Sequence, residues 1–381
     1  MTVAKHTIYI ACPWSPVGGG MFKVADYLNQ SQQPELTPQA QRARLAPLDT
    51  RGGGSAIVSV PVLAAALARL LVGRITGHVS GVHVNMAERL SLFRKCAVVL
   101  WARAVGLPVV LHLHAAQLHH FYATLPSPVQ AFVRWTFAKA TRCIVLGKAS
   151  QEFVVGTLKV PASRVEIVNN GVPEPTVARQ PLSAQCGKRR VFFLGNLSER
   201  KGVSDLLKAL SLSKLAKQGQ IEAVFAGGGD IEGYTAKAHE LGIDHFTRFV
   251  GWADQQTAAT WMASSDALVL PSYDEGLPLV ILEALANSVA VICTPVGEIP
   301  HNLMDGKEAH FVPPGNVPAL ADALDTVLGD TNYRQGLERG GRALFDRGFS
   351  LDQFADSVAR VHLRSFGVAA RPVTLEAVRH D

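Results

Sequence analysis

Short, continuously apolar runs recur along this chain with longer helical patterns between them, and that rhythm limits what it can fold into more than any other feature. Residues 8–11, 57–60 leading into 61–72, 81–84, 109–112, 143–146 and 165–168 make a first series. Residues 191–194, 223–226, 247–250, 267–270, 291–294 and 310–312 make a second. A strand wetted on one face alternates apolar and polar residues; these runs do not alternate, so they predict parallel sheets covered by helices on both faces. The Pro-rich, polar stretch 174–190 (EPTVARQPLSAQCGKRR) is the expected linker. An amphipathic helix over 349–366 is expected to close the chain. The expected architecture is α/β, with two doubly wound domains facing across a crevice where ligands of such sheets bind.

Composition agrees with two domains. The 381 residues exceed the size at which one core stops growing. With 48% hydrophobic and 18% charged residues, a disordered or fibrous chain is excluded. Five scattered cysteines, none in a CxxC pair, exclude a disulfide framework and a zinc ribbon and suggest a reducing compartment. No targeting segment is read at the start, and the longest apolar run is interrupted by Arg69 and falls short of the roughly 20 residues a membrane span needs. The expectation is a cytoplasmic protein. Charge is uneven: 18 Lys/Arg against 7 Asp/Glu in residues 1–180 leave +11, and 19 against 24 in residues 181–381 leave −5. Such asymmetry marks a surface meeting anionic lipid or nucleic acid, or drift in surface composition.

The second half carries the strongest chemistry. Leu194-Gly195-Asn-Leu-Ser-Glu-Arg200-Lys201-Gly202 runs from a strand into a helix. Two cations beside free helix-start amides suit a pyrophosphate; a solvated basic turn is the plainer alternative. A second glycine-rich exit, Gly227–Gly229, allows close backbone approach and is weak on its own. Then comes Pro271-Ser-Tyr-Asp-Glu275-Gly276-Leu277, followed by an apolar helix that contains Glu283. A carboxylate among Val280, Ile281, Leu282, Ala284 and Leu285 is costly unless it pairs or accepts hydrogen bonds. Vicinal ribose hydroxyls would satisfy it, as would a cap or an internal ion pair. Glu275 reads as a crevice acid or a solvated loop acid.

The Glu275/Glu283 spacing, preceded by Pro-Ser and joined by Gly276, resembles the E-x7-E motif of retaining glycosyltransferases of the GT-B fold. With the Gly195…Arg200-Lys201-Gly202 turn and Asn169-Asn170-Gly171-Val172, the chain resembles glycosyltransferase family 4. That resemblance implies an acceptor-binding Rossmann-like domain at 1–178, with the segment 349–381 packing back on it, and a nucleotide-sugar-binding domain at 186–348. It implies that Arg200 and Lys201 hold the donor pyrophosphate, Glu283 the ribose and Glu275 the sugar. Gly276 and Leu277 amides would help position sugar and phosphate. Ser288, Ala290, Glu298 and the 307–310 stretch depart from the family's pattern, which bears on the shape of the sugar pocket.

In the first half, Gly18-Gly19-Gly20 follows the first strand, and in the family this loop faces donor phosphate and acceptor. Asp49-Thr50-Arg51-Gly52-Gly53-Gly54 adds a cation at the same rim or forms a flexible loop. His112 and His114 share one face of a strand. They read as a metal pair, as core histidines, or, for His114, as the family's hydrogen-bonder to the sugar; His119 and His120 read as surface residues. The 81–95 segment resembles a subgroup of α-mannosyltransferases that build exopolysaccharide units from GDP-mannose on a polyprenyl diphosphate. Arg94 and Lys95 beside Leu92 and Phe93, and the mixed stretch 132–139, suit an anionic membrane or ordinary amphipathic packing.

The expected protein is therefore a retaining, metal-independent hexosyltransferase, peripheral on the inner face of the cell membrane. Its partners would be a nucleotide-sugar (a GDP- or UDP-sugar) and a lipid-linked saccharide, with no cofactor and no nucleic acid. The alternatives are a UDP-sugar enzyme with another acceptor, an epimerase lacking a visible acid/base set, and a non-catalytic sugar-nucleotide scaffold. A dinucleotide enzyme is disfavoured because the first glycine loop lacks G-x-G-x-x-G spacing.

Overall fold

The computed structural model describes residues 6–14, 19–53, 59–114 and 117–373. Two compact units divide the chain: one runs to Gly171 and resumes at Leu351, the other is Val172–Ser350. The first unit contains β1 (His6–Cys12), β2 (Ala43–Asp49), β3 (Val79–Met86), β4 (Val109–Leu113), β5 (Arg142–Val145) and β6 (Val165–Ile167). They form a parallel sheet in the order β2-β1-β3-β4-β5-β6. All five residues of β4 are buried, as the continuous apolar runs require.

One strand differs from expectation. Of the 57–60 run, residues 57 and 58 lie outside the described residues, and Ser59 and Val60 open the helix Ser59–Ile75. The strand is β2, whose sequence ARLAPLD contains a proline. Proline lacks the ladder N–H, and β2 tolerates Pro47 because it is the sheet's edge, with Pro47 opposite Ile10.

The second unit repeats the plan with β7 (Arg189–Leu194), β8 (Ile221–Ala226), β9 (Thr247–Gly251), β10 (Ala267–Leu270), β11 (Ala290–Cys293) and β12 (His310–Phe311). The order is β12-β11-β10-β7-β8-β9, again parallel, and direction reverses between β7 and β10. The expected linker 174–190 is folded into this unit. Arg179 donates to the carbonyls of Ala263 at 3.1 Å and Ser288 at 3.3 Å. Asp266, buried, accepts from Arg190 N at 2.8 Å and from Ser183. Ser288 itself has φ +53°, a left-handed backbone that favours glycine.

The closing helix, Leu351–Phe366, belongs to the first unit. Phe354, Val358, His362 and Phe366 follow at intervals of one turn and face β3 and β4. Phe366 lies flat against Gly81, where an added Cβ would come within 2.4 Å of the ring. Arg364 pairs with Glu166, and Arg371 bonds Asp356 and Asp352, so ion pairs flank this apolar seam. Gly81→Ala should therefore lower unfolding stability by about 1–3 kcal/mol, the usual cost of overpacking, read as a reduced urea midpoint. An unchanged midpoint would mean that the helix is not seated on β3.

Candidate active site

In a doubly wound sheet, loops at the carboxyl ends of the strands gather on one edge, and ligands bind where strand order reverses. In the second unit that edge carries the exits of β7 and β10. The β7 exit begins at Gly195, whose N–H bonds Ala226 O at 2.9 Å, and Leu197 N bonds Gly228 O at 2.6 Å, joining it to the β8 exit. The exit continues into the 3-10 turn Glu199–Lys201. The β10 exit lies against this turn: Tyr273 N donates to Arg200 O at 2.8 Å, and Arg200 Nη1 donates to Asp274 O at 2.7 Å.

At their junction Lys201 Nζ pairs with Glu275 Oε1. Ser272 Oγ donates to the same oxygen at 2.7 Å. Glu275 is only 7% exposed, so it is neither a solvated loop acid nor unpaired. The β11 exit closes the site from another side. Glu298 N donates to Gly276 O at 3.1 Å, and Gly297, at φ +60°, packs so tightly that a Cβ would sit 1.8 Å from Glu275 O. Nearby acids are held elsewhere: Glu199 accepts from Tyr234 Oη at 3.2 Å and from Ser204, and Asp205 accepts from Tyr273 Oη at 2.7 Å. Arg200 is exposed and its guanidinium retains further donors.

Glu283 lies on the helix Leu279–Ala286, in which each of the other seven residues is buried. It is the half-buried position of that helix, and its backbone oxygen accepts from Asn287 N and Nδ2. Leu277 is buried and Gly276 half-buried. Sequence reasoning missed two neighbours on this edge: Ser272, and Trp252, which stands 56% exposed directly after β9. A lone aromatic following a strand-end glycine was the available signal for Trp252.

In the first unit, Gly18 and Gly54 lie outside the described residues, while Gly19 caps the helix Gly20–Gln30. His114 follows β4, half-buried, and its Nε2 lies 2.8 Å from Asn85 Oδ1. An amide oxygen can only accept, so His114 donates from Nε2 and keeps a lone pair at Nδ1. Burial and the neighbouring His83 hold His114 below the ordinary histidine range. His112 is fully buried rather than turned to solvent. His119 and His120 are exposed. Among the described residues no three of His, Cys, Asp or Glu are grouped to hold a metal ion.

Lys95 departs from expectation. It is fully buried, and its Nζ donates to Ala11 O at 2.9 Å and Thr50 Oγ1 at 2.7 Å. Burial lowers its pKa to about 7. A lysine that ties the ends of β1 and β2 together is not available to lipid.

With this geometry in place, two family models match: "Glycosyl transferase 4-like domain" over residues 17–171 and "Glycosyl transferases group 1" over residues 176–344. Together they take in most of the chain, which belongs to the glycosyltransferases of the GT-B fold. An uncharacterised glycosyltransferase of Methanocaldococcus jannaschii is 23% identical over 271 residues, covering 67% of this chain and 69% of that protein. The phosphatidyl-myo-inositol mannosyltransferase of Mycobacterium leprae is 31% identical over 200 residues, 51% of this chain. The chain spans about half of that relative, 52%. Among solved structures, Anabaena HepE in complex with UDP aligns over 93% of this chain and 99% of its own, with TM-score 0.73 and 16% identity, a likeness of fold.

Burial also makes stability depend on pH. His83 is held down to about 4, and His112 and His362 well below the ordinary value, chiefly by desolvation. Unfolding frees these groups to titrate near 6.5. Their stabilising contribution is complete above about pH 6.5 and is lost as pH falls toward 4. The urea midpoint should fall between pH 7.5 and pH 5; equal midpoints would contradict the buried, neutral assignment.

Proposed function

We propose that the protein is a retaining, metal-independent hexosyltransferase that moves a sugar from a nucleoside diphosphate to a lipid-linked saccharide in bacterial exopolysaccharide or cell-surface polysaccharide assembly. Mannose from GDP-mannose is the first donor to test, in keeping with the mannosyltransferase relative, and a UDP-sugar is the second, in keeping with the UDP-bound neighbour. The observation that carries the reading is the Lys201–Glu275 pair at the strand-order reversal, with Arg200 beside it.

In this reading Arg200 and Lys201 bind the diphosphate, Glu275 approaches the sugar, Glu283 takes the ribose hydroxyls, and Gly195, Gly276 and Leu277 shape the backbone around them. Gly18, Gly19 and His114 serve from the first unit, His114 accepting a hydroxyl at Nδ1. The bond from the anomeric carbon to the phosphate oxygen breaks as the acceptor oxygen bonds the same face. The acceptor proton passes to the departing phosphate. Fixed cations stabilise the charge that develops there, the part a metal ion plays elsewhere.

An apolar and cationic surface of the first unit supports the reading of a lipid-linked acceptor. The helices Ser59–Ile75, Leu90–Ala104 and Ser127–Lys139 pack side by side and hold no acid and, besides the buried Lys95, six Lys/Arg. They expose Leu71, Val72, Ile75, Phe93, Trp101 and Phe132, and Trp135 at 51%. Among the described residues no helix is long and apolar enough to cross a membrane. Apolar side chains rimmed by cations suit an anionic bilayer surface.

The test is product mass after incubation with single GDP- or UDP-sugars and a polyprenyl-diphosphate saccharide. Donor hydrolysis without transfer favours a different acceptor, and neither reaction favours a binding scaffold. Arg200→Ala, at an exposed position, should cost about a hundredfold in kcat/KM without loss of stability. Glu283→Ala should raise donor KM with kcat little changed. Co-sedimentation with phosphatidylglycerol vesicles should fall on Trp135→Glu and at high salt; salt-insensitive binding would defeat the electrostatic account.

A further inference from the structure

The first unit reverses its strand order across β1, which lies between β2 and β3, so the exits of these strands form its binding edge. Three donors that the proposed transfer does not use gather there. Lys95, fully buried, fixes the place. Its Nζ donates to Ala11 O near the end of β1 and to Thr50 Oγ1 just past β2. It thereby holds the start of the helix Leu90–Ala104, which follows β3, against the β2 exit. Arg94 precedes Lys95 and Arg51 follows Thr50, so one anchor brings the two arginines near each other.

Neither arginine has a counter-ion. Arg94 is held below the ordinary arginine value by burial and then by the charge of Arg51, a neighbour of its own sign. Asp49, close to Arg51 in sequence, is taken up by backbone N–H groups: Trp14 N at 3.3 Å, Arg51 N at 2.9 Å and Gly52 N at 3.1 Å. Glu88, half-buried before the helix, pairs with neither arginine among the described residues. The helix's first turn holds no acid. Arg94 Nε and Ser91 Oγ are both buried without a partner. Three residues apart, they share one face of the helix. Buried donors are almost always matched. Water can satisfy an N–H or a hydroxyl, but it neutralises neither cation.

Two cations also set the charge of the missing ligand. A phosphodiester headgroup brings one negative charge, whereas the diphosphate that joins a saccharide to a lipid brings two. Guanidinium forks suit such oxygens in pairs. Leu90, 65% exposed, and Phe93, 36% exposed, precede Ser91 and Arg94 and give the adjoining helix face an apolar surface. We infer that Arg51, Arg94 and Ser91 form a second phosphate site, in the first unit, which holds the diphosphate of the lipid-linked acceptor with Leu90 and Phe93 against its hydrocarbon. The inference rests on the lipid-linked acceptor reading and names the residues that grip it.

The test is calorimetric titration of geranyl diphosphate into the full chain, with and without GDP or UDP at the concentration that just saturates the nucleotide site. Geranyl diphosphate should bind equally well in both cases. Geraniol, which lacks the phosphates, should not bind, and dihexanoyl phosphatidylglycerol, with one phosphate, should bind at least about tenfold more weakly. Arg51→Gln, at an exposed position, should weaken geranyl diphosphate about tenfold, and Arg51→Gln/Arg94→Gln about a hundredfold, with nucleotide affinity unchanged. In transfer assays the same variants should raise acceptor KM and leave donor hydrolysis as it was. No binding by the wild type, displacement by nucleotide, or equal binding of geraniol or the phospholipid overturns the inference. So does an Arg51→Gln variant with wild-type affinity, which decides the matter even if the double variant fails to fold. If the wild type transfers no sugar yet binds geranyl diphosphate through these arginines, the transferase reading fails and the site stands.

Discussion

The ion pair between Lys201 and Glu275 organises the second unit's binding edge. Both groups are nearly buried, and removing either one alone would leave an uncompensated charge in a poorly solvated place. Their union locks the β7 exit to the β10 exit, which the Arg200 and Tyr273 backbone bonds reinforce. An ammonium has three donors, so Lys201 can keep Glu275 and still meet a phosphate oxygen. The same contact therefore stabilises the loops and prepares a cation for an anionic ligand. It also means that Lys201→Ala is a poor probe of binding, because it strands Glu275.

The two units handle buried polarity differently. The second uses opposite charges, with Lys201 on Glu275 and a Ser272 hydroxyl on the same oxygen. The first keeps its buried histidines neutral and joins them by hydrogen bonds, with Lys95 bound to a carbonyl and a hydroxyl rather than to an acid. Neutral chains avoid the desolvation cost of ions but need every donor matched to an acceptor.

Much of this was legible in the sequence. Continuous apolar runs such as 267–270 became buried parallel strands because both sheet faces are covered, a condition the run itself records. The Arg200-Lys201 turn and Glu275 are brought together as strand-exit logic anticipates. The failures share a cause: side-chain environment is set by distant chain. The strand β2 went unread because ARLAPLD is not a continuous apolar run and carries Pro47, which only an edge position tolerates. Lys95 looked like a surface cation because nothing local reveals that Ala11 O and Thr50 await it. The 174–190 stretch looked like a linker although Arg179 and Asp266 tie it into the second unit. His362 was invisible, its partners lying far off in sequence.

Calorimetric titration of GDP and UDP into the wild type and into a Lys201→Met/Glu275→Gln double variant tests the account most directly. The double change removes both charges at once, so the fold is spared a stranded ion. The wild type should bind one nucleotide, and the folded double variant should bind it at least about a hundredfold more weakly. Equal affinity in the two proteins would contradict the claim that this pair lies at a diphosphate site.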